Sequence, residues 1–276
     1  MTGLRRDQLL FLAGLLAERA GQVLAADRLF LVDSRLSPLA RREGFASVQA
    51  LIDSLKSGAE PRLAQAAAEA LVDPDTAFFR DRAPFSQFRD LLLPAMARAR
   101  GGQAVRVWSA GCGSGQEPYS LAIAAEQAED AHSGLSVDIT ASDFSEAALE
   151  KGRAGLYTHF EVQRGLPIRQ LVAHFEKADD LWRASPRLRA RIRWGRVNHA
   201  RALPDVGRYE IVFCRYVLKD FEPERRVKAL QELARCVTPG GVLIMGEGES
   251  PLDIGAGFRA PANTRGLYQR DPAAAA

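Results

Sequence analysis

The sequence is poor in cysteine and histidine, and this limits the chemistry that its side chains can perform. Among 276 residues there are three cysteines and four histidines. The cysteines are odd in number, form no Cys-x-x-Cys pair and lie in or beside apolar runs, which excludes a disulfide framework and predicts buried thiols in a cytoplasmic protein. The histidines share no ligand spacing, so we expect no metal site. These residues are Cys112, Cys214 and Cys236, and His132, His159, His174 and His199.

Long apolar runs are missing as well. No stretch approaches the roughly 20 residues that a membrane-spanning helix needs, so we expect no membrane insertion. The leucine-rich stretch 9–13 follows two arginines, as in a secretion signal, but Gly14, Glu18 and Arg19 continue it at helical spacing and favour an amphipathic helix. With 47% hydrophobic and 26% charged residues, the composition is that of a globular protein with one fair-sized core and a smaller domain.

Residues 1–72 carry helical periodicity throughout. Nine basic and eight acidic residues nearly balance there, so charge alone assigns this region no partner. We expect an all-helical N-terminal domain over 1–72, followed by an α/β domain over 73–276. The helical pattern consists of three apolar stripes, formed by Leu9, Leu12, Leu15 and Leu16, by Leu29, Val32, Leu36 and Leu39, and by Val48, Leu51, Ile52 and Leu55.

The segment 105–119 is the most informative part of the chain. It reads as a buried strand, a glycine turn and the start of a helix, a junction that commonly holds a nucleotide-like cofactor. A dinucleotide fingerprint has glycines at its first, third and sixth places, whereas the glycines here are Gly111, Gly113 and Gly115, with Gln116 in the sixth place. That spacing favours S-adenosylmethionine, which has no pyrophosphate for the helix N-terminus to bind. The alternative is a glycine turn with a structural role only.

Further strands extend this pattern into a sheet. Residues 137–143 predict a second strand ending in Asp143, whose carboxylate could accept hydrogen bonds from both ribose hydroxyls. Its alternative role is to cap the helix that follows, which Ser145 could do equally well. Residues 209–214 and 242–246 predict two more strands that flank a helix over 223–237. Strands alternating with helices predict a Rossmann-like α/β fold, with ligands bound at the carboxyl ends of the strands.

The stretch 151–201 is unusually basic. It contains twelve Lys or Arg residues and four acids, a net of +8, whereas the whole chain has a net charge of +3. Residues 180–183 and 191–197 alternate polar and apolar side chains, which predicts a small antiparallel β insertion over about 155–197. Its arginines would either be solvated on strand edges or face an acidic partner. Few aromatic residues interleave with them and no recognised nucleic-acid motif is present, so we expect no nucleic-acid partner.

The sequence resembles the CheR family of chemotaxis receptor methyltransferases over nearly the whole chain. That resemblance implies transfer of a methyl group from S-adenosylmethionine to glutamate side chains on the cytoplasmic helices of chemoreceptors, with S-adenosylhomocysteine as product. It also implies a helical N-terminal domain facing the receptor and an inserted β subdomain that docks a receptor tail in some members. Four blocks carry the resemblance, at residues 76–81, 108–119, 160–167 and 209–221.

Site residues follow from the resemblance one position at a time. Arg80 matches an arginine near the transferred methyl and is our candidate to grip the acceptor carboxylate, since a guanidinium binds both carboxylate oxygens. Its alternative role is an ion pair with Asp75 or Asp81. Glu117 falls at the position expected near the amino group of the cofactor, and Asn198 at the position beside the adenine. The full cofactor-binding set is Thr76, Arg80, Gly111, Gly113, Glu117, Asp143, Asn198, His199 and Tyr216.

Several positions depart from the family pattern. Tyr216 replaces an asparagine that contacts the cofactor, and Asp220 replaces a tyrosine close to the reaction centre. We therefore expect Asp220 to act on the catalytic side with Arg80, where its negative charge would attract a sulfonium and repel a carboxylate. Pro74 replaces a second cofactor-side asparagine. Residues 246–249 read Gly-Glu-Gly-Glu where the family has Gly-x-Ser-Glu.

These observations leave two functions of different classes. The first is a protein-glutamate methyltransferase of the chemotaxis type. The second is a CheR-like protein without catalysis, or with another acceptor, that binds S-adenosylmethionine and acts as a regulatory module. Retention of Thr76, Arg80, Glu117 and Asp143 favours the enzyme, whereas the changes at 216 and 220 favour the module. Methylation of a small molecule would fit the sheet but would leave the basic insertion unexplained.

Overall fold

The structure, a computed structural model, describes residues 3–58, 60–73, 75–255, 257–262 and 264–275. These residues form two compact units. The first contains the chain up to residue 73 together with 198–201 and 219–227, and the second contains the remainder. The two short segments of the first unit come from late in the chain, which periodicity alone does not reveal. A domain boundary at 72/73 stays a prediction.

The first unit is helical. Most members of the three predicted apolar stripes are buried, because each stripe faces the interior of the unit. Ser47 caps the third helix by accepting a hydrogen bond from the backbone N of Ala50 at 3.1 Å. Pro61 opens the fourth helix, where a missing N–H has no cost. The helices are α1 (Arg6–Ala20), α2 (Val32–Arg42), α3 (Val48–Lys56) and α4 (Pro61–Leu71), with a 3-10 turn at Ala26–Leu31.

The second unit is built on a seven-stranded sheet in the order β6-β2-β1-β7-β8-β10-β9. The first five strands in this order are parallel, and β10 and β9 are antiparallel to their neighbours. The predicted strands over 137–143 and 209–214 have the expected bounds. The strands are β1 (Val105–Ala110), β2 (Val137–Asp143), β6 (Ile192–Arg196), β7 (Tyr209–Cys214), β8 (Val237–Met245), β9 (Phe258–Arg259) and β10 (Leu267–Arg270).

Helices surround this sheet, as expected for a Rossmann-like fold. Strand β7 is buried along its whole length, which is typical of a central parallel strand covered on both faces. The helices of this unit are α5 (Ala83–Gln87), α6 (Leu93–Ala99), α7 (Gln116–Ala131), α8 (Glu146–Ala154), α9 (His159–Gln163), α10 (Ile168–His174) and α11 (Pro186–Ala190), together with the part of α12 (Pro223–Cys236) from residue 228 onward.

The strand order places a crevice between β1 and β7. From β1 the chain proceeds to β2 on one side, and it later returns through β7 on the other side of β1. Helices connected to the two strands therefore leave in opposite directions, and a ligand can enter between them at the carboxyl ends of the strands. Gly111 follows β1 and Arg215 follows β7, so both of their segments border this crevice.

A small antiparallel sheet is present, but it contains only part of the predicted insertion. It consists of β3 (Leu156–Thr158), β5 (Leu181–Ala184) and β4 (Phe175–Ala178), in that order. The prediction that 191–197 belongs to this sheet is wrong. Strand β6 pairs in parallel with β2, from Ile139 opposite Ile192 to Asp143 opposite Arg196. An edge strand has one buried and one exposed face, which produces the same alternation of polar and apolar residues as a half-exposed hairpin.

Aromatic side chains connect the small sheet to the block 76–81. The ring of Phe78 packs edge-on against Tyr157 on β3, with centroids 5.0 Å apart, and against Phe175 on β4 at 5.6 Å. Tyr119 on α7 contacts Tyr157 at 6.0 Å. All four rings are buried. Edge-on aromatic pairs add to the stabilisation from burial, so this cluster fixes the segment that carries Arg80.

Candidate active site

The glycine turn after β1 requires its glycines. Gly111, Gly113 and Gly115 have φ angles of 76°, 54° and 97°, in the left-handed region that residues with a Cβ seldom adopt. A Cβ on Gly111 would lie 2.3 Å from a methyl group of Val217, on the segment after β7. A Cβ on Gly115 would lie 2.9 Å from the hydroxyl of Tyr157. The turn therefore passes so close to its neighbours at both ends that a side chain at Gly111 or Gly115 would not fit.

Asp143 lies at the end of β2 and contacts this turn directly. Its Oδ2 accepts a hydrogen bond from the backbone N of Gly113 at 2.8 Å, and its Oδ1 accepts one from Ser145 N at 2.9 Å. Ser145 is the N-cap of α8, because its hydroxyl accepts from the backbone N of Ala148. The capping role is thus filled by Ser145. The contact of Asp143 with the ribose of the cofactor stays a prediction.

Glu117, in the first turn of α7, is buried behind the glycine turn. Its Oε1 accepts a hydrogen bond from the hydroxyl of Ser109 at 2.8 Å, and its Oε2 contacts Nη1 of Arg215 at 3.2 Å. Burial raises the pKa of Glu117, while the charge of Arg215 opposes that rise. A carboxylate that is buried and only partly compensated can accept a hydrogen bond from a cationic ligand group, as expected for the amino group of the cofactor.

Arg215 connects Glu117 to the block 76–81, and the sequence analysis missed it. Its side chain is 2% exposed. Its Nη2 contacts Asp81 Oδ2 at 2.5 Å and the carbonyl oxygen of Arg80 at 2.9 Å. The signal that could have revealed it is a charged residue directly after the fully apolar end of β7, since a buried charge needs designated partners.

The block 76–81 forms a strained turn. Phe79, Asp81 and Arg82 have φ angles of 46°, 66° and 48°. Such angles are uncommon outside glycine and cluster at functional sites, where the surrounding structure compensates for their cost. The backbone N of Phe79 donates to the hydroxyl of Ser120 on α7 at 2.9 Å, which anchors the turn to the sheet.

Arg80 projects from this turn, and its side chain makes three contacts. Its Nη1 donates to the backbone carbonyl of Asp75 at 2.9 Å. Its Nη2 lies 3.2 Å from Asp75 Oδ2, so the ion pair considered from the sequence is present. Its Cζ lies 3.9 Å from the centre of the Tyr216 ring, within the range of a cation–π interaction. Thr76 lies near the glycine turn, since a Cβ on Gly113 would be 3.5 Å from its methyl group. Pro74 lies outside the described residues.

The remaining predicted residues belong to the first compact unit. The amide of Asn198 donates to the carbonyl of Arg19 at 2.7 Å and accepts from Ala200 N at 2.9 Å. Burial lowers the pKa of His199 to about 4, so this ring is neutral at pH 7. Asp220 forms an ion pair with Arg28 at 2.8 Å. Their predicted roles beside the cofactor and the methyl group stay predictions.

Comparison with known families decides what this crevice binds. Residues 74–259 match the family model for the CheR methyltransferase, SAM binding domain. The chain belongs to the CheR methyltransferase family. Its cofactor is S-adenosylmethionine, and the residues at the glycine turn are of chemical types that suit this group: the carboxylate of Asp143 can accept from sugar hydroxyls, and that of Glu117 can accept from a cationic amine. Their contacts with the cofactor stay predictions.

Curated relatives of this CheR family member cover most of its length. The chain is 35% identical over 238 residues to "Chemotaxis protein methyltransferase 1" of Vibrio cholerae, covering 85% of this chain and 86% of the relative. It is 33% identical over 239 residues to the protein of the same name from Pseudomonas aeruginosa, covering 85% and 87%. Among solved structures, the CcbJ methyltransferase from Streptomyces caelestis is 19% identical with a TM-score of 0.33, covering 60% and 53%.

Across the described ranges, no group of three or more His, Cys, Asp or Glu side chains has an arrangement suited to a metal ion. Within the same ranges, no helix combines the length and apolar character needed to cross a bilayer.

The basic stretch 151–201 is partly neutralised by acids from elsewhere in the second unit. Arg187 pairs with Glu126 at 3.2 Å, and Arg191 pairs with Glu129 at 2.8 Å. Both acids lie on α7, outside the basic stretch. Part of the local charge excess therefore stabilises the fold, which reduces the charge left for a partner.

Proposed function

We propose that this CheR family member transfers a methyl group from S-adenosylmethionine to glutamate side chains on the cytoplasmic helices of chemotaxis receptors. The observation that carries the proposal is the placement of Arg80 by a strained turn in the same unit as the cofactor cradle. The names of the Vibrio and Pseudomonas relatives, which align over most of both chains, support a chemotaxis protein as the acceptor.

The reaction does not require the protein to transfer a proton. A glutamate side chain has an ordinary pKa of about 4.3 and is ionised at neutral pH, so no general base is needed. When bound, S-adenosylmethionine supplies an electrophilic methyl group on a sulfonium. The task of the chain is to align the acceptor with that methyl group and to exclude water, and alignment can contribute up to roughly 7–11 kcal/mol.

Arg80 is the residue that we assign to hold the acceptor carboxylate. Asp75 uses one N–H of Nη1 through its backbone carbonyl and one N–H of Nη2 through its carboxylate, and the stack on Tyr216 uses the flat face of the guanidinium. Stacking leaves the N–H of Nε and the second N–H of each Nη available for hydrogen bonds, along the Nε edge of the guanidinium. A carboxylate that binds to this edge would receive a charge-assisted, two-pronged contact.

Asp220 needs a separate account, because an uncompensated anion at the reaction centre would repel a glutamate. Its carboxylate pairs with Arg28 at 2.8 Å and lies 3.7 Å from Nζ of Lys219. Two neighbouring cations offset its charge. With this compensation, Asp220 gives no electrostatic argument against a glutamate acceptor.

A regulatory module that binds S-adenosylmethionine without transferring the methyl group is the second candidate. One observation favours it: Arg80 already has both an ion-pair partner and a stacking partner within its own chain. A receptor carboxylate would have to compete with Asp75. In this alternative, the protein would respond to the concentration of S-adenosylmethionine, which would act as a regulatory ligand.

Isothermal calorimetry with S-adenosylmethionine, followed by incubation with methyl-labelled cofactor and membranes that contain chemoreceptors, separates the two functions. The enzyme predicts binding together with a base-labile label on the receptor, as expected of a glutamyl methyl ester. Binding without label would refute the enzyme and support the module. Absence of binding would refute both.

The variant Arg80→Ala tests the assignment of the carboxylate clamp. We expect labelling to fall by at least 100-fold, with cofactor affinity changed by no more than a few fold, because the clamp acts on the acceptor. Arg98→Ala is the matched control, since it removes the same charge from an exposed position on α6. Full labelling by the Arg80 variant would show that another residue holds the acceptor.

The partner surface at the basic stretch is also part of the proposal. We expect a receptor tail or another acidic segment to bind there, with the cytoplasm as the common location of enzyme and receptor helices. Arg183, exposed on β5, forms no ion pair with the acids of α7 among the described residues and is a better probe than Arg191. Arg183→Ala should weaken receptor association at low salt, where exposed charges act most strongly.

A further inference from the structure

Tyr216 has a backbone conformation that its side chain disfavours. It follows Arg215 at the end of β7 with a φ angle of 61°, which is rare for a bulky residue. Its backbone N donates to Oε2 of Glu249 at 2.7 Å, and the same oxygen accepts from Gly246 N at 2.8 Å. Glu249 is 6% exposed. A buried carboxylate therefore holds Tyr216 in a strained conformation, which points to a function for the side chain.

The ring of Tyr216 fits between two neighbours. On one side is the guanidinium of Arg80, at 3.9 Å from the ring centre. On another is the backbone of Gly246, where an added Cβ would lie 2.7 Å from Cε1 and 2.8 Å from Cδ1 of the ring. Any larger residue at 246 would push the ring from its position. The absence of a side chain at 246 thus creates the space in which the ring meets Arg80.

The hydroxyl fixes the far end of the ring. It donates to Asp81 Oδ2 at 2.6 Å and accepts from the backbone N of Glu247 at 3.1 Å. Burial and the hydrogen bond to Asp81 raise the pKa of Tyr216, so the phenol stays protonated at neutral pH. Asp81 Oδ2 also accepts from Arg215. The backbone, the ring face and the hydroxyl are therefore each held by a different neighbour.

We propose that Tyr216 is a positioning residue that sets the direction of the Arg80 guanidinium and thereby the approach of the acceptor carboxylate. This inference rests on the proposed function. Arginine has a flexible side chain. Its Nη1 donates to the Asp75 carbonyl and its Nη2 pairs with the Asp75 carboxylate, so Asp75 holds one edge of the guanidinium and leaves its tilt about that edge free. A fixed ring against one face restricts the guanidinium to one plane, so that a carboxylate must approach within that plane. The acceptor is thus selected by the direction from which it presents its two oxygens.

Three variants separate the ring from the hydroxyl and from folding. Tyr216→Asn removes the ring, and asparagine tolerates a positive φ angle better than tyrosine, so the variant should fold at least as stably. Tyr216→Phe keeps the ring and removes the hydroxyl. Gly246→Ala keeps Tyr216 and displaces its ring.

Steady-state methylation of receptor membranes, calorimetry with S-adenosylmethionine and the NMR signal of Arg80 Nε–H are measured for each. For Tyr216→Asn and Gly246→Ala we expect the KM for receptor to rise at least tenfold and the ring-current shift of the Arg80 signal to disappear. Cofactor affinity should stay within threefold. Tyr216→Phe keeps the ring but loses the two hydrogen bonds of the hydroxyl, so it should retain the shift and raise the KM for receptor less than Tyr216→Asn does.

If the unmodified protein labels receptors, an unchanged KM for Tyr216→Asn would overturn the positioning role alone. A tenfold loss of cofactor affinity in Gly246→Ala with an unchanged KM would do the same. A protein that binds S-adenosylmethionine and leaves receptors unlabelled in its unmodified form would overturn the proposed function, and the positioning role with it.

Discussion

The contact between Gly111 and Val217 joins the cofactor turn to the segment after β7, and its energetic importance can be calculated from the structure. Replacing Gly111 by alanine forces a Cβ into a backbone with a φ angle of 76°, at a cost of about 1–2 kcal/mol. The new atom would also lie 2.3 and 2.9 Å from the two methyl groups of Val217. Valine has little rotamer freedom, so overpacking adds about 1–3 kcal/mol.

We therefore expect Gly111→Ala to lower the free energy of unfolding by about 2–5 kcal/mol, the sum of these two costs. Gly134→Ala is a matched control: its φ angle is 80° and an added Cβ would meet no atom within 4 Å, so only the backbone cost applies. Urea unfolding followed by tryptophan fluorescence reports on the unit that contains both variants, because Trp108, Trp182 and Trp194 all belong to the second unit.

The difference between the two variants isolates the clash. Adding Val217→Ala to Gly111→Ala should recover at least half of that difference, because it removes the methyl groups that collide with the new Cβ. The reasoning fails if Gly111→Ala is no less stable than Gly134→Ala. It fails equally if Val217→Ala is additive with Gly111→Ala in a double-mutant cycle.

Two further predictions concern buried charges. Arg215→Met should lower the free energy of unfolding by about 3–5 kcal/mol at pH 8, because it leaves the carboxylate of Glu117 without its cationic partner. The pKa of Glu117, already raised by burial, would rise further, so urea unfolding at pH 5 should show a smaller loss of stability. Equal losses at both pH values would contradict this prediction. For His199, burial lowers the folded pKa to about 4, below the ordinary value of about 6.5. The unfolded chain binds more protons between these pH values, so the free energy of unfolding falls by up to about 3 kcal/mol as the pH drops from 6.5 to 4. His199→Gln should remove this pH dependence from the Tm, measured by far-UV circular dichroism. An unchanged pH dependence would show that other groups cause it.

Much of the fold could be predicted from the sequence because its signals are local. The glycines of 111–115 and the apolar runs of β1, β2 and β7 determine turn and strand by the conformations they allow. The helical stripes of the first unit identify its buried face in the same way. Residues 191–197 were assigned to the wrong sheet because alternation reports which face is buried, whereas pairing with β2 is a long-range choice.

The family motif predicts a cofactor site at Thr76, Arg80, Glu117 and Asp143, since these residues lie at positions where a pattern can be matched. Arg215 was missed because its importance arises from distant partners, Glu117 and Asp81, that only folding brings to one guanidinium. The stack of Tyr216 on Arg80 could not be predicted for the same reason. The departure from the motif shows that the residue at 216 differs, but which side chains it contacts depends on the direction of the backbone after β7.

The sequence by itself determined the secondary structure, the family and the nature of the cofactor, because each depends on residue type and spacing along the chain. The tertiary structure decided which side chains form hydrogen bonds, ion pairs and packing contacts with each other. It assigned the cap of α8 to Ser145, placed β6 beside β2, paired Asp220 with Arg28 and set Tyr216 against Arg80. Burial and partnership depend on distances across the fold, and a one-dimensional pattern does not contain those distances.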